Sequence, residues 1–160
     1  MRLLHSKKLT DFIIPKYLDG KISINSDSLL LPKEQNSFNM ALHCVSHVIE
    51  SSPPISPLLS LNVFFCNSNQ ISFVIDDKDT VFGCFNQNII YPLYLWRKLN
   101  LPHWVMFLPM IEELCHAIWQ IPDGPYLEEK ATEVIKCLGN DETYQDYLNA
   151  IYEFIDENNL

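Results

Sequence analysis

The stretch "IEELCHAIW", residues 111–119, decides how this chain is read. Successive helix residues are rotated by about 100°, so Glu112 and His116 project from one face, and Glu113 lies within three residues of His116. Two such side chains on one helical turn can hold a metal ion between them. Phase sharpens the point. Phe107, Met110, Leu114, Ala117 and Ile118 form one apolar face, while Val105, Leu108 and Trp119 flank Glu112 and His116 on the other side. A helix that is apolar on both sides is a buried helix. Burying a carboxylate without a partner costs several kcal/mol, so Glu112 is expected to be paired, protonated or metal-bound. The plainest version is a Glu112–His116 ion pair with a purely structural role.

Working outward, Pro102 and Pro109 suit first-turn positions, so the helix over 101–119 is expected to kink or restart at Pro109. "IPDGP" is a turn. An amphipathic helix over 126–138 follows, stopped by Gly139-Asn140, with Leu127, Ala131, Val134, Ile135 and Leu138 on its apolar face. Glu128 lies roughly 75° from the middle of that face and borders it, whereas Glu129 and Glu133 lie on the solvent side. A last helix over 141–158 carries most of the late acidic residues. Upstream, "NSFNMALHCVSHVIE" is a helix capped by Asn36 or Ser37 and stopped by "SSPPISP". Strands are expected at 59–66 and 71–76, joined as a hairpin through "NSNQ", then at 80–85 and from 88 to Pro92. Gly83 marks a bulge or close approach in the third of these. Residues 1–36 form an extended arm or irregular layer. Helix, strands, then helices make an α+β domain spanning 1–160: an arm over 1–36, a core over 37–138, and the acidic C-terminal helix.

Over about residues 37–138 the chain resembles a small gluzincin-type zincin metallopeptidase, the minigluzincin kind. "IEELCH" stands where the active helix stands, "YLEEKATEVI" where a following helix supplies a glutamate, and "TVFGCFNQNII" just ahead as an edge-like segment. The resemblance implies a three- to four-stranded sheet packed against the active-site helix, with further helices after it. It implies that Glu112 replaces the first metal-binding histidine, Glu113 holds the general-base position, and His116 is the second ligand. Glu128, in Glu128-x-x-Ala131, matches the later glutamate ligand. Two histidines and a carboxylate leave Zn²⁺ with a net charge of about +1, whereas Glu112, His116 and Glu128 neutralise it and acidify its water less. Such oxygen-rich ligation suits Mn²⁺ or Fe²⁺ better than Zn²⁺. The expectation is one divalent metal with altered or weak hydrolysis, or a zincin fold kept without metal or peptidase activity. The alternative is a non-catalytic module that meets a protein or peptide partner through the acidic last helix or "IIYPLYLW".

Other functions are poorly supported. With 11 basic and 20 acidic residues the net charge is −9, which lacks the basic footprint of a nucleic-acid partner. After Lys136 no Lys or Arg occurs, consistent with a solvated acidic helix. Four glycines and no Gly-rich loop leave no nucleotide cradle, and no G-x-S-x-G occurs. Five cysteines, none in a CxxC pair, read as free thiols of a reducing, cytoplasmic compartment. No apolar run is long enough for a membrane span. "HCVSH" offers His43 and His47, with Glu50 near, but their phase opposes the face formed by Ala41, Leu42, Val45, Val48 and Ile49, so they are expected in water. A two-carboxylate iron site would need them to face Glu112 across the core.

Overall fold

The computed structural model describes residues 6–70, 87–139 and 141–160, with the backbone of 2–3 and 73–74. The described residues form an α+β domain. Its strands are β1 (Arg2–Leu3), β2 (Lys7–Lys8), β3 (Ile22–Ser26), β4 (Leu61–Phe65), β5 (Phe73–Val74) and β6 (Gln87–Tyr91). Its helices are α1 (Pro32–Ser51), α2 (Leu93–Lys98), α3 (His103–Trp119), α4 (Pro125–Lys136) and α5 (Tyr144–Asn158). The main sheet has the order β2-β3-β4-β6. β2 joins it antiparallel, while β3, β4 and β6 run parallel.

The expected hairpin of 59–66 with 71–76 does not form. β5 pairs instead with β1, and β4 lies between β3 and β6. The physical reason is in β4 itself. Leu61, Val63 and Phe65 are buried on one face and Phe64 on the other, as suits an interior strand of a parallel sheet. Parallel pairing then demands a crossover, and α1 supplies it between β3 and β4. The N-terminal segment is therefore more than an arm, because β3 is an inner strand. The strand expected at 80–85, with Gly83, lies outside the described residues.

The core fills one face of the sheet. Ile24, Val63, Phe65, Ile89 and Tyr91 meet α1 and α3 there. Phe38 of α1 packs edge-on against Phe65 at 5.1 Å and against Tyr91 at 5.8 Å. The Tyr91 hydroxyl donates to the Met110 carbonyl at 3.1 Å, which ties β6 to the middle of α3. The opposite face is more polar: Asn62 donates to Asn88 across β4 and β6. Phe64 and Cys66 form a small separate cluster.

Helix α1 starts one turn earlier than expected, at Pro32, the favoured first position. Glu34, fully buried, reaches back to accept from the Leu31 N–H at 2.7 Å. Helix α3 runs unbroken through Pro109 rather than restarting there. Helix α5 begins at a Thr143 cap, whose hydroxyl accepts from the Asp146 N–H. Its Tyr147, Leu148, Ile151 and Phe154 pack on the core, while Glu153, Asp156 and Glu157 stay exposed. Among the described residues no helix is long and apolar enough to cross a membrane.

Candidate functional site

The C-terminal half of α3 and the turn that follows it build the site. Gln120 takes the left-handed conformation (φ 56°) and ends the helix, and the chain doubles back through Ile121, Pro122 and Asp123. Gly124, at φ 132°, completes the reversal in backbone space that disfavours any side chain. This path brings two groups onto His116. The Ile121 carbonyl lies 2.5 Å from Nδ1, and Asp123 Oδ1 lies 3.2 Å from Nε2. A carbonyl only accepts, so Nδ1 carries a proton. The Asp123 carboxylate also only accepts, so the contact at Nε2 needs a proton there too, and Nε2 offers a lone pair only where a neutral ring is released from Asp123. With Nδ1–H so held, the released ring has the orientation that a metal-binding or proton-accepting imidazole needs.

Glu112, half-buried, has its partner elsewhere. The Tyr144 hydroxyl, from the first turn of α5, donates to its Oε1 at 3.0 Å. The expected Glu112–His116 ion pair is thus replaced by two separate contacts, one to α5 and one to the turn. Desolvation pushes the Tyr144 hydroxyl up to about 12, and the negative charges of Glu112 and Glu128 add to the effect. Glu113 is exposed over much of its surface, yet desolvation raises its carboxyl above the usual carboxylate range. His116 opposes that shift, while Glu112 and Asp123 reinforce it. Three acids and one histidine therefore share a field.

Glu128 lies exposed in the first turn of α4, between buried Leu127 and the exposed Glu129. Its connection to Glu112 runs through Tyr144, whose hydroxyl feels both carboxylates. Among the described residues, no three His, Cys, Asp or Glu side chains converge closely enough to cage a metal ion. The donor types present, one imidazole and several carboxylates, nevertheless fit a hard divalent cation, and the Asp123 side chain, 95% exposed, is free to swing.

His43, His47 and Glu50 are exposed, as their helical phase requires, and do not face Glu112. Cys115 is buried, and desolvation pushes its thiol up to about 12, which makes it a poor nucleophile. Lys130 was not expected in the core. It lies buried on α4, donating to Ser52 Oγ at 2.9 Å and Glu133 Oε2 at 2.6 Å, beneath the Trp119 ring. Asp123 and Tyr144 were also missed. The signal for Asp123 was an acid in a tight turn directly after a histidine-bearing helix end; Tyr144 gave none, because its helix reads as peripheral. No protein-family model matches this chain, nor does any curated protein or solved structure.

Proposed function

We propose that the chain is a zincin-like protein with a degenerate metallopeptidase site, an altered-metal hydrolase whose ligands are Glu112, His116 and a third carboxylate. The observation that carries this reading is the lock on His116. Its Nδ1–H is spent on the Ile121 carbonyl, so Nε2, paired with the exposed Asp123 carboxylate, is the ring nitrogen that a cation would take once Asp123 turns aside or joins it as a ligand. Glu128 is the third ligand by resemblance, and Asp123 competes for that role by position. A bound Mn²⁺, Fe²⁺ or Zn²⁺ would polarise a carbonyl and lower the pKa of a bound water. Glu113, whose carboxyl is raised above the usual carboxylate range, is a better proton acceptor than an ordinary carboxylate. Tyr144 holds Glu112 in place.

Calorimetric titration of metal-stripped protein with Mn²⁺, Fe²⁺ and Zn²⁺ tests the reading. One equivalent is expected to bind, His116→Ala to weaken it at least about tenfold, and Glu113→Gln to keep the metal while abolishing hydrolysis. Absence of binding to all three ions sinks it.

A second reading, a non-catalytic interaction module on the same scaffold, draws support from one feature. Glu112 and His116 already have protein partners, so the site is satisfied without a cation. On that reading Glu113→Gln leaves partner binding intact.

A further inference from the structure

A second candidate site lies at the other end of α3. His103 and His116 are 13 positions apart, about 20 Å along a helix. There a cleft of about 500 Å³ opens between the first turns of α1, α3 and α5 and the segment just after α4. That volume is in the usual range for a small organic ligand. Its walls are apolar and aromatic, formed by Met40, Trp104, Phe107 and Tyr147. The rings of Phe107 and Tyr147 stand 6.4 Å apart, and Phe154 braces Trp104 edge-on at 5.8 Å, so the walls are fixed by packing.

The polar lining is one-sided. Lys33, Asn36 and His103 line the cleft, with no carboxylate, in a chain that has 20 acidic and 11 basic residues. Lys33 Nζ is anchored by donating to the Leu101 carbonyl at 2.9 Å. An ammonium has three protons, and the other two are uncommitted among the described residues. Across the shared Trp104 and Tyr147 wall, an adjoining hollow carries Glu142 and Asp146. Basic Lys33 thus stands on one side of Trp104 and the acidic pair on the other, a placement that favours an anionic group at the Lys33 end.

We propose that this cleft binds a small amphiphilic organic acid, its flat apolar body against Trp104 and Phe107 and its anionic group at Lys33 and His103. The metal reading of the other site is independent of it.

The test uses the full chain and two fluorescent probes of similar body, the anionic 1-anilinonaphthalene-8-sulfonate and the uncharged N-phenyl-1-naphthylamine. The sulfonate is expected to bind saturably at one site, and Lys33→Gln to weaken it about three- to tenfold. The uncharged probe should bind less tightly and be indifferent to Lys33→Gln, while Trp104→Ala weakens both. His103→Gln provides a second variant on the Lys33 side of the cleft if loss of the Leu101 contact unfolds Lys33→Gln. Non-saturable binding overturns the proposal. Equal loss of both probes in the Lys33-side variants, or no loss of the sulfonate, overturns it as well.

Discussion

Gln120 and Gly124 carry no chemistry, yet they aim His116. A left-handed residue at the end of α3 and a glycine three residues beyond Ile121 bring an accepting carbonyl to one ring nitrogen and an acid to the other. Glu113 beside them is where charge and stability meet. Its folded carboxyl is raised above the unfolded value, chiefly by desolvation. The native state therefore holds that proton more tightly than the unfolded chain does. The contribution is fully present below the ordinary carboxylate range and is lost as pH rises through the folded pKa. Glu113→Gln removes the ionisation, so without metal the variant should be the more stable protein at pH 7 and equal to the parent near pH 4. Because the group is well exposed, the gain is held to about 0.5 kcal/mol, or about 1–2 °C in Tm. Thermal unfolding at the two pH values checks this, and a variant less stable at pH 7 would show that His116 outweighs desolvation.

At the scale of elements, α5 is a clamp as well as an acidic surface. Thr143 and Asp146 cap it, Tyr144 reaches Glu112 on α3, and the Tyr144 backbone N–H meets Thr132 Oγ1 of α4 at 3.0 Å. Tyr144→Phe keeps the ring and deletes only the donor to a half-buried carboxylate. A loss of about 1–2 kcal/mol is expected, read as a lower urea midpoint at unchanged m-value. An unchanged midpoint would mean that water replaces the phenol at no cost. The helices were legible in the sequence because 3.6-residue periodicity, prolines and caps are local signals: the phase of His43 and His47 and the solvent face of the last helix could be read directly. Strand partners were not legible. Whether Leu61–Phe65 pairs with 71–76 or with Ile22–Ser26 depends on a crossover through α1, and "NSNQ" carries the same turn chemistry in either case. The site divides the same way. Glu112, Glu113 and His116 are neighbours on one helix and could be grouped by spacing, whereas Asp123 and Tyr144 reach them only through a turn and a tertiary contact.

At the scale of the whole molecule, one buried ion pair joins segments that the sequence leaves far apart. Glu34 in the first turn of α1 accepts from Arg97 of α2 through both oxygens, at 2.7 and 2.8 Å. The same guanidinium donates to the Leu29 carbonyl, to Ser28 Oγ and to Asn67 Oδ1, so it fastens the loop after β3 and the loop after β4 onto the start of α1. Hydrogen bonding to Glu34 is the leading cause that raises the Arg97 pKa further, so the guanidinium stays charged. Glu34 is fully buried and Arg97 is 23% exposed, so the pair is neither a surface bridge of negligible worth nor a sealed one. Glu34→Gln keeps the volume and removes the negative charge, leaving the guanidinium in a partly desolvated site with only neutral acceptors. Breaking a sealed pair costs about 3–5 kcal/mol; with water reaching one side of Arg97, a loss of about 2–4 kcal/mol is expected. Arg97→Lys keeps the charge but cannot grip both carboxylate oxygens and both loops, and should cost about 1–2 kcal/mol less than Glu34→Gln. Urea unfolding of the two variants and of the double variant checks the assignment. Additive losses would show that Glu34 and Arg97 act separately, whereas a double variant little worse than Glu34→Gln is what a coupled pair at the junction of the sheet and α1 requires.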